Sequence, residues 1–160
     1  FEKSVAMRLC EFLDFDAVRP ALSAGNKRQL LQTLGQIAGQ RLDLPPAAVQ
    51  EALAERERLG STGFGGGVAI PHGKVAGLAG VYAMMARLAE PLDYGAIDGR
   101  KVDLVFLLLS PPDAGAQHLK ALAAISRTVR SGDVVEKLRG ARSRDALVAV
   151  LMAAEERDAA

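Results

Sequence analysis

From Val102 to Leu109 the chain reads Val-Asp-Leu-Val-Phe-Leu-Leu-Leu, with Asp103 as the one polar residue. The run is far shorter than the ~20 residues that cross a bilayer. It is also too continuous for a strand with one wet face, which alternates apolar and polar positions. It therefore predicts a strand buried on both sides, in a sheet that carries helices on each face. Val81 to Leu88, low in charge, reads as a second strand, and Val68 to Ile70 as a brief third. The expected architecture is α/β: a single domain over residues 1–160, with a mixed central sheet flanked by helices on both faces.

The helices are legible from period and punctuation. Asn26 caps a segment with Leu30, Leu31, Leu34, Ile37, Ala38 and Leu42 on one stripe. Pro45-Pro46 opens a second helix through Val49, Ala52 and Leu53, which Gly60 ends. Tyr94 to Lys101 reads as a loop with an Asp98-Gly99 turn, and Ser110-Pro111-Pro112-Asp113 breaks the chain. A third helix carries Leu119, Leu122, Ile125 and Val129 and stops at Gly132. Asp133 is expected to cap Val134 to Arg139, and Ser143 to cap a last helix that frays over residues 154–160. The residues ahead of Met7 are compatible with a cloning remnant.

Composition narrows the function classes. A net charge of +1 gives no basis for nucleic acid or an anionic membrane as partner, and no segment predicts membrane insertion. A single cysteine, Cys10, forms no intrachain disulfide and fits a reducing, cytoplasmic setting. Nothing beside Cys10 would lower its pKa, so it is read as an incidental thiol. Two histidines and one cysteine, widely spaced, do not supply a structural zinc site, and no metal or cofactor is expected. Gly73-Lys74-Val75 fails the nucleotide-phosphate loop pattern, and Gly63 to Gly67 followed by Val68 fails GxGxxG.

What remains is Gly60-Ser61-Thr62-Gly63-Phe64-Gly65-Gly66-Gly67-Val68-Ala69-Ile70-Pro71-His72-Gly73-Lys74. His72 stands between a proline that restrains the chain and a glycine, a setting that suits covalent carriage of a phosphoryl group. Neutral imidazole is a good nucleophile toward phosphorus near pH 7. On local features alone an incidental histidine in a surface loop is an equal reading. Arg56 and Arg58, in Glu55-Arg56-Glu57-Arg58-Leu59, are either solvated charges or phosphate ligands.

Pro71-His72-Gly73, with Gly60-Ser61-Thr62-Gly63 and Arg56-Glu57-Arg58 ahead of it, resembles the phosphorylation region of phosphotransferase-system EIIA domains. The type is mannitol/fructose-like, nearest the nitrogen-regulatory branch. Ala116-Gln117-His118-Leu119, Ala96-Ile97-Asp98-Gly99 with Val102-Asp103-Leu104, and Leu138-Arg139 to Ala146-Leu147 extend the resemblance over residues 20 to 153. It implies His72 as phosphoacceptor through Nε2, with Nδ1 on a backbone carbonyl. His118 becomes a supporting histidine in the first turn of its helix. Arg56, sixteen residues before His72, becomes the phosphate-binding arginine, preferred to Arg58. Thr62 and, less strongly, Ser61 would give hydroxyl hydrogen bonds to the phosphoryl oxygens, and Phe64, Ile70 and Leu119 would form an apolar rim for docking the carrier.

The implied function is a phosphorelay: transfer from a phosphohistidine carrier of the HPr type (NPr in the nitrogen branch) to His72. Regulatory targets such as potassium-transport regulators or sensor kinases would then bind according to phosphorylation state. Two alternatives stay open. One is a sugar-specific EIIA that serves a separate EIIB, and the other is a non-catalytic module that binds an anion.

Overall fold

The computed structural model describes residues 6–159, and side chains through Arg157. All but Ala6 of the segment ahead of Met7 thus lies outside the described residues. Two 3-10 turns, Leu9–Glu11 and Phe15–Ala17, lead into strand β1 (Arg19–Leu22). Helices α1 (Lys27–Leu42) and α2 (Pro46–Arg58) follow, then three short strands: β2 (Gly63–Gly65), β3 (Val68–Ala69) and β4 (His72–Lys74). The long strands β5 (Tyr82–Leu92) and β6 (Val102–Ser110) precede α3 (Gly115–Arg130), α4 (Gly132–Gly140) and α5 (Arg144–Ala159). Among the described residues, no helix is long and apolar enough to cross a membrane.

The sheet is mixed and six-stranded, in the order β1-β5-β6-β3-β2, with β4 also paired to β6. β5 runs antiparallel to β6, whereas β3 and β4 lie parallel to it on its other side, one after the other. Alternation along β6 divides the core. Leu104, Phe106 and Leu108 pack with Ala121, Ile125, Leu138 and Leu147 from the last three helices. Val105, Leu107 and Leu109 pack with Leu30, Leu34, Val49 and Leu53 from the first two. From Leu104 to Leu109 each side chain is 0–1% exposed, which is why this strand has no polar face.

Local signals explain most of the helix bounds. The Asn26 side chain accepts the Gln29 N–H at 2.9 Å, and the Ser143 hydroxyl accepts that of Ala146 at 3.1 Å. Two expectations need correction. The cap of α4 is Ser131, whose hydroxyl accepts the Val134 N–H at 3.4 Å; Asp133 sits in the first turn and pairs with Lys137 at 3.2 Å. Helix α5 runs through Ala159 instead of fraying from residue 154. Ala154 is buried, and the Glu155 carboxylate accepts the Cys10 N–H at 3.1 Å, so the last turns are docked on the N-terminal segment. Strands β1, β2 and β4 had no sequence signal, because three or four residues are too few to show a period.

Phe106 is the largest side chain on the β6 face that meets the last three helices. Phe106→Ala should cost about 3–5 kcal/mol of unfolding free energy, measured by urea denaturation; a loss under about 1 kcal/mol would mean that this face is loosely packed.

Candidate functional site

His72 opens β4, where it pairs with Leu108 of β6. Its Nδ1 lies 2.8 Å from the Ile70 carbonyl oxygen. A carbonyl only accepts, so Nδ1 carries the proton and Nε2 keeps its lone pair. The Ile70 N–H donates to the Thr62 carbonyl at 3.0 Å, which anchors the residue whose carbonyl holds the ring. Gly73 supplies close approach and not added freedom. A Cβ there would stand 3.1 Å from the Ala52 carbonyl oxygen, so glycine lets β4 lie directly on α2.

That contact brings the end of α2 to the histidine. Arg56 donates from Nε to His72 Nε2 at 3.2 Å and from a terminal nitrogen to the Gly60 carbonyl at 2.9 Å. Arg58 turns away and pairs with Glu55 at 2.8 Å on the exposed side of the helix. His118, in the first turn of α3, faces His72 with 5.5 Å between ring centroids and 50° between ring planes. Its Nδ1 meets the Ser110 hydroxyl at 2.6 Å.

Beneath these groups lies a network that the sequence did not reveal. Glu57 is paired with Lys27 at 2.5 Å, and its carboxylate accepts hydrogen bonds from the Thr62 and Tyr94 hydroxyls, the latter at 3.0 Å. Lys27 also stands 4.4 Å over the Tyr94 ring. Burial opposes the charge on Glu57, but the hydrogen bonds from Lys27, Thr62 and Tyr94 outweigh it and hold the carboxyl below its ordinary range. In Glu55-Arg56-Glu57-Arg58 the residue looks like one more solvated charge, since its partners come from α1 and from a loop far along the chain.

Two expected roles change accordingly. Thr62 is 7% exposed and its hydroxyl is committed to Glu57 and Tyr94, so it anchors the loop and is not free for a phosphoryl oxygen. Ser61 accepts the Gly63 N–H at 3.0 Å and keeps its own hydroxyl proton to donate. Ile70, at 4% exposure, is a core residue whose carbonyl orients His72; its side chain cannot rim a docking surface. Phe64 and Leu119 are exposed, 41% and 67%, and so are Leu59 and Ile97, at 83% and 93%, neither of which was anticipated.

The glycine-rich approach is a built turn. Gly65, Gly66 and Gly67 all have positive φ, between 66° and 108°. Asp98 accepts the Gly66 N–H at 2.9 Å, and Arg139, paired with Asp103 at 2.8 Å, donates to the Gly66 carbonyl at 2.5 Å. A Cβ on Gly67 would meet the Arg139 guanidinium.

Both histidines are held below the ordinary value of 6.5, His72 by burial and then by Arg56, His118 by burial, His72 and Lys74. The Ile70 carbonyl and Glu57 pull His72 the other way without prevailing. The unfolded chain therefore takes up protons that the folded one refuses once the pH falls below that value. The stability gained by keeping these rings neutral is present above it and fades as the pH drops. The urea midpoint should decline from about pH 7 to about pH 5, and His72→Gln should flatten that decline. Parallel curves for the two proteins would mean that His72 titrates as an exposed ring.

Comparison with known proteins places the whole chain. Residues 11–154 match the family model described as the phosphoenolpyruvate-dependent sugar phosphotransferase system, EIIA 2. A nitrogen regulatory protein of Bradyrhizobium diazoefficiens is 46% identical over 145 residues, covering 91% of this chain and 95% of its own length. A fructose-specific EIIA component of Haloferax volcanii is 40% identical over 111 residues, 69% of this chain and 71% of that protein. Among solved structures, the nitrogen regulatory protein IIA-Ntr of Neisseria meningitidis superposes with a TM-score of 0.83 at 35% identity, over 88% of this chain and 97% of its own. A family match and a fold likeness that run together over nearly the whole chain lead to one assignment: it belongs to the EIIA 2 family of the phosphotransferase system.

Proposed function

We propose that the chain is a phosphorelay regulator of the nitrogen branch, which takes a phosphoryl group onto His72 Nε2 from a phosphohistidine of an HPr-type carrier. The observation that carries this reading is the locked tautomer. The Ile70 carbonyl holds Nδ1–H and leaves the Nε2 lone pair directed toward Arg56 and the His118 side of the site. In the resting protein the Arg56 Nε–H occupies that lone pair. As the carrier docks, Arg56 turns its N–H groups to the phosphoryl oxygens, a geometry that guanidinium suits.

Nε2 then attacks phosphorus. The carrier's N–P bond breaks, its ring keeps the bonding pair and leaves as neutral imidazole, and the Nε2–P bond forms. His72 retains its Nδ1 proton, and the positive character its ring acquires is stabilised by the Ile70 carbonyl. The dianionic group sits among Arg56, Lys74 and the His118 N–H, which supplies charge complementarity without a metal or nucleotide. Because burial keeps His72 neutral, the nucleophilic form is the resting form at pH 7.

Leu59, Phe64, Ile97 and Leu119 are the exposed apolar residues that adjoin the site's segments in sequence, and they offer a surface for the carrier. The same surface would suit a regulatory target while His72 is unmodified, because a phosphoryl dianion against a desolvating partner is costly. Potassium-transport regulators and sensor kinases are the target classes the nitrogen branch suggests. The likeness to a fructose-specific EIIA component favours one second reading, in which a separate EIIB takes the phosphoryl group.

Phosphoenolpyruvate with the general phosphotransferase proteins should add one phosphoryl mass, labile in acid and stable in alkali. His72→Ala should abolish it, and labelling of that variant would overturn the assignment. Arg56→Ala should slow transfer roughly ten- to hundredfold, Arg58→Ala hardly at all; equal small effects would return both arginines to solvation. At least one native partner should bind the unphosphorylated protein about tenfold more tightly, a coupling of ~1.4 kcal/mol. Pull-downs with wild-type protein, His72→Ala and His72→Glu read this. No discrimination, together with rapid transfer to a sugar-specific EIIB, would favour the second reading instead.

A further inference from the structure

The Ser110 hydroxyl lies 2.6 Å from His118 Nδ1, and Ser110 is 0% exposed at the end of β6. Its backbone is equally fixed, since its carbonyl accepts the Val75 N–H at 2.9 Å. The position is opposite Lys74, two residues beyond the pair His72–Leu108, so the same strand-to-strand register sets both the phosphoacceptor and the serine.

A proton count decides which atom donates. The hydroxyl carries one proton, and among the described residues His118 Nδ1 is the one hydrogen-bond partner recorded for its oxygen. If Nδ1 carried the ring proton and donated to the serine, the hydroxyl proton would be buried without an acceptor, a penalty of ~1–3 kcal/mol. If the serine donates, both groups are satisfied. Burial first, then repulsion from any charge on His72 and from Lys74, holds the ring below the ordinary value of 6.5, so near pH 7 it has a single proton to place. With Nδ1 accepting, that proton is on Nε2.

We infer that Ser110 is a positioning residue: by donating to His118 Nδ1 it fixes the ring as the Nε2–H tautomer, a ready donor to a phosphoryl group on His72. The two histidines are thereby set in opposite protonation patterns by opposite partners. A carbonyl that can only accept puts the His72 proton on Nδ1 and frees Nε2 for attack, while a hydroxyl that must donate puts the His118 proton on Nε2. The site then needs no proton movement during transfer. The sequence obscured this role, because Ser110 reads as the first residue of a Ser-Pro-Pro-Asp chain break.

The inference rests on the phosphoacceptor reading of His72, but its first test does not. Long-range nitrogen–proton NMR on unphosphorylated protein should show His118 as the Nε2–H form and His72 as the Nδ1–H form. His118 found as Nδ1–H in the wild type would overturn the assignment outright. Ser110→Ala should give a tautomer mixture at His118 with His72 unchanged, and should slow phosphoryl transfer roughly tenfold at an unaltered half-saturating carrier concentration. Ser110→Thr, which keeps the hydroxyl, should restore both. A Ser110→Ala protein that keeps the Nε2–H form and full transfer rate would overturn the positioning role. Wild-type protein with the expected tautomers that accepts no phosphoryl group would instead overturn the reading of His72.

Discussion

Burial of β6 on both faces is the constraint from which the rest of the molecule follows. Its alternate side chains are claimed by two helix layers, α3 to α5 on one side and α1 and α2 on the other. Its edges are claimed by β5 and by the β3–β4 pair. A strand held on four sides cannot slip, because a shift of one residue would exchange the two apolar sets between layers that fit them differently. The functional groups are referenced to this strand. His72 is registered on Leu108, Ser110 is the strand's last residue, and α3 with His118 begins just beyond it.

Around that frame the site is organised by hydrogen-bond direction more than by charge alone. A carbonyl, a hydroxyl and a guanidinium each present what the facing ring nitrogen lacks. Glu57, the carboxylate that acts on His72, is paired with Lys27 and with its hydroxyl partners, so its negative charge is offset beneath the two histidines. Its bonds to the Thr62 N–H and hydroxyl also hold the loop whose carbonyl secures Ile70, and through Ile70 the ring of His72. Stability and chemistry share these contacts.

Much of this was legible in the chain. The unbroken run at β6 predicted a sheet covered on both faces, and the Asn26 and Ser143 caps and the Pro45-Pro46 start marked helices that the structure contains. His72, His118 and Arg56 were singled out by motif and resemblance, and the fold brings these three to one place. Local reading failed where partners are distant. Glu57 looked solvated, Thr62 looked available, Ile70 looked like a rim residue and Ser110 looked like punctuation. Each error has one origin: a polar atom's role depends on what the other elements put beside it, and burial depends on layers that no window of residues contains.

The sequence by itself determined the layer architecture, the starts of α1, α2 and α5 and the histidine set inside its proline–glycine frame, because apolar period, capping residues and restricted backbone torsions act within a few residues. Only the tertiary structure decided which nitrogen of His72 carries the proton, which arginine reaches that ring and which hydroxyl remains free. Those choices depend on groups from α1, α2, β4, β6 and α3 meeting within hydrogen-bond distance, and a hydrogen bond selects by direction and separation, neither of which is written along the chain.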